Sequence, residues 1–296
     1  MAETEGKEKR RIGDRFDGKL VRNLDSMHII TPLLYPNRCD NEAYISERID
    51  LAPIREYIEK KNAQEETFKY TVFHVLVTAV LKLIILRPKL NRFIQNRNMY
   101  QRNEFSASFV VKKLFSDDGG EALAIVKAKP GDNADSIHKQ LFEQIKSCKS
   151  DDEVDGSTNA MNIVSSIPRP IMKFFVDIIR LLDKHGHCPK GLIETDPYYT
   201  SVVLSNVGSI HLKSGYHHLV NWGTNSLFVL IGEIKKTEEK DEDGNISVKE
   251  TIDLGLTIDE RLADGYYYSK SVGLLEKILK HPEVLDLPFD QMPEDL

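Results

Sequence analysis

The sequence predicts an α/β protein of two layers, in which helices cover one face of a large mixed β-sheet. Two observations support this fold class. Segments in which apolar and polar residues alternate, as in half-buried strands, are separated by segments with the periodicity of amphipathic helices. The last third of the chain also concentrates long β-rich segments: 198–210, 226–236 and 248–259. No linker-like segment and no internal repeat divides the 296 residues, so residues 18–296 are predicted to form a single domain.

The first half of the chain alternates strands with helices. Four strands are predicted there: 42–50, 92–101, 104–115 and 121–130. The second of these is interrupted by a turn at Asn96–Asn98. Asp50 can cap a helix that has Pro53 in its first turn and continues to about Lys61. A further helix is predicted over residues 134–146.

The most apolar segment, Val72–Leu86, predicts a buried helix that ends before Pro88. Its 15 residues fall short of the roughly 20 that a membrane-spanning helix needs. The polar members His74, Thr78 and Lys82 recur every four residues and therefore lie on one stripe. We expect that stripe at an edge of the helix.

The second half of the chain begins with a polar stretch, Ser147–Asn159. The segment 167–185 then predicts a strongly amphipathic helix, which Gly186 ends. Further on, the pair Asp243-Gly244 predicts a hairpin turn between two of the β-rich segments. The last helix is predicted over Ser269–Lys280.

Composition excludes several classes of protein. The formal charge of −6 argues against a general nucleic-acid binder, because such proteins carry a basic surplus. The basic run KEKRR lies within residues 1–17, which are polar and predicted to be a flexible leader. No segment resembles a signal peptide or a membrane span. The three cysteines are odd in number and widely spaced, which does not suit a disulfide framework and indicates a reducing cytoplasm: Cys39, Cys148 and Cys188.

Three further stretches are informative in their order: YTVFHVLVTAVLKLIILRPKLNRFI (70–94), SVVLSNVGSI (201–210) and LGLTIDERLADG (254–265). The first resembles the long buried helix, proline, Leu-Asn and strand of the chloramphenicol acetyltransferase superfamily. That superfamily includes the catalytic domains of dihydrolipoamide acyltransferases from 2-oxo-acid dehydrogenase complexes. The second stretch resembles its strand ending in Ser-Asn-x-Gly, and the third its strand ending in the catalytic His-x-x-x-Asp-Gly.

The resemblance implies a chemistry and a set of residues. Acyl transfer from a coenzyme A thioester needs a base for the acceptor's proton and a donor for the charge that develops on the thioester oxygen. By the family's motifs, Ser205 supplies the hydroxyl donor, with Thr200 and Ser201 as less favoured alternatives. Asp264 organises the active-site loop through an ion pair. The structural residues at the site are Gly265 and Asn206.

The position of the family's catalytic histidine holds Glu260. A carboxylate is a weaker base than imidazole by about two pK units in free solution, and burial between subunits would recover part of that difference. Glu260 is therefore predicted to act as the base of an acyltransferase. The alternative is a catalytically inactive pseudoenzyme that binds ligand or serves as a scaffold, with Glu260 paired to a nearby cation. If the catalytic base has moved to another part of the chain, His217 and His218 are the candidates. Otherwise these two residues are a histidine pair at the surface or at the edge of the core.

The resemblance also implies partners. The co-substrate would be a coenzyme A thioester, and the acceptor a small or lipid-like molecule. Family members are trimers whose active sites lie between subunits, so a homotrimer is expected, with base and hydroxyl from different chains. No metal is expected, because His185–Cys188 matches no common zinc pattern and is explained by helix termination. Without a lipoyl-bearing domain in the sequence, a stand-alone acyltransferase fits better than the core of a dehydrogenase complex.

Overall fold

The computed structural model describes residues 11–63, 65, 67–112, 121–149, 167–240, 244–294 and 296. Nine strands are found in the described part: β1 Gly18–Leu20, β2 Glu42–Asp50, β3 Arg92–Gln95, β4 Asn98–Arg102, β5 Phe105–Lys112, β6 Glu121–Ala128, β7 Val202–Asn206, β8 Leu227–Lys240 and β9 Ile246–Asp259. Seven α-helices accompany them: α1 Ser26–Leu34, α2 Ala52–Asn62, α3 Val72–Leu86, α4 Ala134–Lys149, α5 Arg169–Lys184, α6 Lys190–Thr195 and α7 Gly265–Lys280.

The larger sheet has six strands in the order β2-β9-β8-β7-β5-β6. Strand β7 runs parallel to both of its neighbours, whereas the remaining pairs are antiparallel, so the sheet is mixed as predicted. Strand β2 has the predicted bounds. Strands β8 and β9 form the predicted hairpin and have 14 residues each, which is longer than predicted. In the turn of this hairpin, Gly244 has a φ of 88°. Asp243 lies outside the described residues.

Helices α2, α3, α4 and α7 cover one face of this sheet. Helix α3 lies at the centre of the layer and contacts the other three. Their apolar side chains share one core with the sheet residues that point to the same side: Ile54, Val80, Leu141 and Ile278 from helices, and Leu204, Val229 and Leu256 from strands. Full burial of such side chains contributes about 1.5–3 kcal/mol each. The predicted class, a mixed sheet with helices on one face, is confirmed.

Helix α3 is the predicted buried helix, but its polar stripe does not lie at an exposed edge. His74, Thr78 and Lys82 are all buried. The ammonium group of Lys82 donates to the carbonyl oxygens of Val284 and Pro288 at 2.9 and 3.0 Å, and burial lowers its pKa to about 8. The expected helix edge was wrong, because a C-terminal turn distant in sequence supplies acceptors for this amine.

A second, smaller sheet has the order β1-β4-β3. The turn between β3 and β4 lies where the sequence predicted it. Asn96 and Arg97 adopt positive φ angles of 48° and 64° there, which is the conformation that a two-residue hairpin loop requires.

The folded domain begins before residue 18, where the sequence predicted its start. Arg15 is buried and forms ion pairs with Asp17 at 2.8 Å and with Asp183 of α5 at 2.7 Å. Residues 11–17 are therefore part of the folded domain, because breaking a buried pair leaves an uncompensated charge. Residues 1–10 lie outside the described part.

Two helices of the second half agree in type with the prediction. Helix α5 is amphipathic and ends before Gly186, whose φ is 73°. Helix α7 begins at Gly265, four residues before the predicted Ser269. Most of the polar stretch Ser147–Asn159 falls on residues 150–159, outside the described residues.

Candidate active site

The candidate active-site loop connects the end of β9 to the start of α7. Strand β9 ends at Asp259, and a single 3-10 turn covers Glu260–Leu262. Asp264 then caps α7, because its carboxylate accepts a hydrogen bond from the Tyr267 amide at 2.8 Å. Gly265 is the first residue of the helix.

The ion pair that holds this loop joins Asp259 to Arg261. The guanidinium donates from Nε to Oδ1 at 2.8 Å and from Nη2 to Oδ2 at 2.6 Å. Both side chains are almost completely buried. A third guanidinium bond, from Nη1 to the Tyr35 carbonyl at 2.8 Å, ties the loop to the end of α1. The resemblance assigned an ion pair to Asp264, whereas no ion pair of Asp264 is found among the described residues.

A second buried arginine lies close to this pair. Arg38 donates to the carbonyl oxygens of Val220 and Gly223 at 2.6 and 3.2 Å. Burial lowers its pKa to about 10, and the negative charge of Asp259 opposes this effect. Arg38 therefore adds a second buried positive charge to the surroundings of Asp259, while its own hydrogen bonds anchor the segment 220–223.

Glu260 lies between Asp259 and Arg261 in sequence, but its side chain is exposed. Its amide donates to the Asn41 carbonyl at 3.0 Å, which fixes the backbone. No ion pair of its carboxylate is found in the described part of the chain. The side chain instead lines a cleft of about 620 Å³ between the edge strand β2 and helix α7.

The wall of this cleft is acidic. Four carboxylates line it, and the lining includes no lysine or arginine: Glu47, Glu260, Asp264 and Glu276. Burial, together with a hydrogen bond to Glu276, raises the pKa of Glu47. Apolar side chains also line the cleft, among them Ile45, Ile258 and Val272. The cleft can therefore hold a ligand that presents apolar surface and hydrogen-bond donors.

Ser205 does not lie in this cleft. It is half-buried near the end of β7, in register with Leu230 of β8 and, through it, with Gly255 of β9. Glu260 therefore lies two strands away from Ser205 across the sheet. Along the direction of β9 it lies a further five residues, or about 16 Å, from the level of Ser205. A single chain does not bring Glu260 and Ser205 together.

Other parts of the Ser-Asn-x-Gly turn lie at a second cleft of about 340 Å³. Asn206, Gly208 and Ser209 line it together with His211 and the first residues of α3. Ser205 is not part of that lining, because neighbouring residues of a strand point to opposite faces.

The two alternative hydroxyls are used within the fold. Thr200 donates to the Pro197 carbonyl at 2.7 Å, and Ser201 accepts from the Ser106 amide at 3.0 Å. Both residues are buried. These contacts leave Ser205 as the more accessible hydroxyl of this segment.

His217 and His218 lie on the loop that crosses the sheet face opposite the helices. The His217 ring stacks on Phe228, with 4.1 Å between the ring centroids and 8° between the planes. Its Nδ1 lies 2.7 Å from the His218 carbonyl. Because Phe228 of β8 is in register with Val203 of β7, His217 shares a face with Ser205 rather than with the Glu260 cleft.

No group of three metal-binding side chains is found in the described residues. In the segment His185–Cys188, Cys188 is buried, and burial raises the pKa of its thiol to about 11. Among the described helices, none is long and apolar enough to cross a bilayer.

The residues that support the loop are not evident from the sequence motifs. The pair Asp259–Arg261 and the cleft carboxylates Glu47 and Glu276 were not predicted. The close spacing of opposite charges after a strand was a signal for the first pair. No local sequence pattern indicates that Glu47 of β2 lies next to Glu276 of α7, since the two positions are 229 apart in the chain.

No protein-family model and no curated protein matches the chain. Solved structures do match it over most of its length. The chain is similar to a chloramphenicol acetyltransferase, with 12% identity, a TM-score of 0.57, and 89% of this chain and 100% of that chain covered. It is also similar to a probable dihydrolipoamide acetyltransferase from Listeria monocytogenes, with 13% identity, a TM-score of 0.56, and 89% and 95% covered.

A third similar structure is the dihydrolipoamide acetyltransferase of Azotobacter vinelandii, whose catalytic mechanism was studied at a serine, a histidine and an asparagine. The identity is 11% and the TM-score 0.53, with 90% of this chain and 94% of that chain covered. At such low identity these likenesses show the fold alone. The two-layer α/β architecture is therefore a chloramphenicol acetyltransferase-like fold, as the order of motifs in the sequence predicted.

Proposed function

We propose that the chain is a coenzyme A-dependent acyltransferase in which Glu260 is the general base. One observation carries this proposal. Glu260 is exposed in a cleft of about 620 Å³, while the cation next to it in sequence, Arg261, is bound by Asp259. In the Azotobacter acetyltransferase, the histidine and asparagine of the mechanism stand four positions apart. Glu260 and Asp264 have the same spacing.

The reaction follows from general acyl-transfer chemistry. The carboxylate of Glu260 takes the proton from the acceptor's hydroxyl, amine or thiol, and the acceptor attacks the thioester carbon. A hydroxyl donor, Ser205, stabilises the oxyanion of the tetrahedral intermediate. The carbon–sulfur bond then breaks, and the proton on Glu260 passes to the leaving thiolate. The products are the acylated acceptor and free coenzyme A.

The proposed active form is a homotrimer. Within one chain Glu260 and Ser205 belong to different regions of the sheet, so the reaction requires Ser205 of a neighbouring copy. Helix α1 supports such a contact, because it exposes a set of apolar side chains next to the Glu260 loop: Met27, Ile29, Ile30, Leu33 and Leu34. Exposed apolar surface of this kind is typical of protein interfaces.

The acceptor is proposed to be small or lipid-like, because the cleft combines apolar side chains with acidic ones. We further propose a cytoplasmic location. No disulfide is found among the described residues, and two of the three cysteines are buried. Cysteines without disulfides fit a reducing compartment.

The experiment is the release of free coenzyme A thiol from a panel of acyl-coenzyme A donors and mixed acceptors. Wild type, Glu260→Gln and Glu59→Gln are compared, the last being a glutamate exposed on α2. Loss of a general base lowers turnover by about a hundredfold or more, so Glu260→Gln is expected to lose acceptor-dependent release while Glu59→Gln retains it. Release that persists in Glu260→Gln would contradict the assignment of the base. Absence of release from folded wild type would favour the pseudoenzyme.

A further inference from the structure

Helix α5 exposes an unusually large apolar face. Six of its apolar side chains are exposed: Ile171, Phe174, Phe175, Ile178, Leu181 and Leu182. At 100° per residue they lie within an arc of about 120°. This arc is distinct from the side that packs on the protein, where Met172, Val176 and Ile179 are half-buried. The exposed face therefore has no partner among the described residues.

The polar side of α5 is basic. Its exposed charged residues are four cations and one anion: Arg169, Lys173, Arg180, Lys184 and Asp177. Asp177 is paired with Lys173 at 2.8 Å. This local surplus contrasts with the formal charge of −6 of the whole chain. The remaining acidic residue of the helix, Asp183, is buried and bound by Arg15.

We propose that α5 binds the surface of a bilayer that contains anionic lipids. A helix of this kind lies in the interface with its apolar face in the boundary between headgroups and acyl chains. The long Lys and Arg side chains of the polar side of such a helix then reach lipid phosphates. Helix α1 also exposes apolar residues but contains no lysine or arginine, so it lacks the charge that anionic headgroups would select.

A second copy of the chain is a less suitable occupant of this face. A symmetric contact through the apolar arc would use its apolar side chains alone and leave the four cations on the far sides of the two helices, without anionic partners. The charge pattern therefore favours a phosphate-bearing lipid surface. This inference does not depend on the proposed catalytic activity, because binding to a membrane requires no turnover.

The test is flotation of the full chain with vesicles of phosphatidylcholine alone and of phosphatidylcholine mixed with phosphatidylglycerol. Wild type is expected to float only with the anionic vesicles, and less at high salt. Phe174→Glu is expected to abolish binding. Ile246→Glu is the matched control, since Ile246 is 67% exposed and Phe174 is 63% exposed, and it is expected to bind like wild type.

A second variant distinguishes loss of membrane binding from loss of folding. Arg180→Gln/Lys184→Gln changes only exposed charges and is expected to weaken binding about fivefold for each residue removed. Molar mass in solution is measured for every variant. Absence of flotation with anionic vesicles, or unchanged flotation of Phe174→Glu, would overturn the proposal. A change in oligomeric state of Phe174→Glu without any effect on flotation would likewise overturn it and assign the face to a protein contact.

Discussion

The guanidinium of Arg261 binds both carboxylate oxygens of Asp259, at 2.8 and 2.6 Å, on either side of an exposed Glu260. Because Arg261 is bound by Asp259, the adjacent cation does not neutralise Glu260. The pair also fixes the 3-10 turn that carries Glu260, since Arg261 donates to the Tyr35 carbonyl as well. The loop therefore combines a rigid, buried support with one carboxylate that faces a cleft.

Arg261→Met is expected to destabilise the fold by about 3–5 kcal/mol, because it leaves the buried carboxylate of Asp259 without its partner. Urea denaturation measures this change in the free energy of unfolding. The matched control is Arg48→Met, which breaks an exposed pair with Asp253 and is expected to cost about 1 kcal/mol or less. Equal effects of the two substitutions would show that the buried pair does not hold the loop.

Asp264→Ala is expected to lower stability by about 1 kcal/mol, because the Tyr267 amide loses its acceptor at the start of α7. Asp264→Asn keeps a capping oxygen and is expected to stay close to wild type. Thermal or urea denaturation of the two variants measures the difference. If Asn were as destabilising as Ala, the negative charge of Asp264 rather than its capping bond would matter.

Gly255→Ala is expected to displace the loop that carries His217 and His218. A Cβ at this position would lie 1.7 Å from the carbonyl oxygen of Gly215, a distance that only a shift of backbone can relieve. Strain of this kind costs several kcal/mol. Gly191→Ala is the control, since a Cβ there has open space. Similar melting temperatures for the two variants would contradict the close approach of loop and sheet.

The stability is expected to fall as the pH drops from about 6.5 to 4. Burial lowers the pKa of His74 to about 4, so in this range the unfolded chain binds a proton that the folded chain does not. The effect reaches about 3 kcal/mol for His74 alone. In the wild type, His74 Nδ1 accepts a hydrogen bond from the Thr71 amide at 3.2 Å. His74→Gln keeps an acceptor for this amide and removes the titratable group. Parallel pH profiles of urea midpoints for wild type and variant would contradict this account.

Much of the fold followed from local patterns. Strand β2, helix α3 and the β8–β9 hairpin were predicted, because alternation, apolar periodicity and turn residues are properties of neighbouring residues. Helix α7 began earlier than predicted, because the cap at Asp264 allows Tyr266–Tyr268, which are weak helix formers, to enter the first turn.

What the sequence did not predict depends on residues far apart in the chain. Lys82 is buried because the carbonyls of Val284 and Pro288 meet its amine. Arg15 belongs to the domain because Asp183 binds it across 168 positions. The motifs indicated Glu260 and Ser205, but their separation within one chain became evident only from the register of β7, β8 and β9.

Mixing two inactive variants tests most directly whether the active site is built from Glu260 of one copy and Ser205 of another. Glu260→Gln and Ser205→Ala are each prepared alone and are then unfolded and refolded together, and thiol release is measured. In a random mixture about a quarter of the sites combine an intact Glu260 with an intact Ser205. A site shared between copies is expected to restore activity to about that fraction of the wild-type value. No recovery in confirmed mixed oligomers would contradict a site shared between copies.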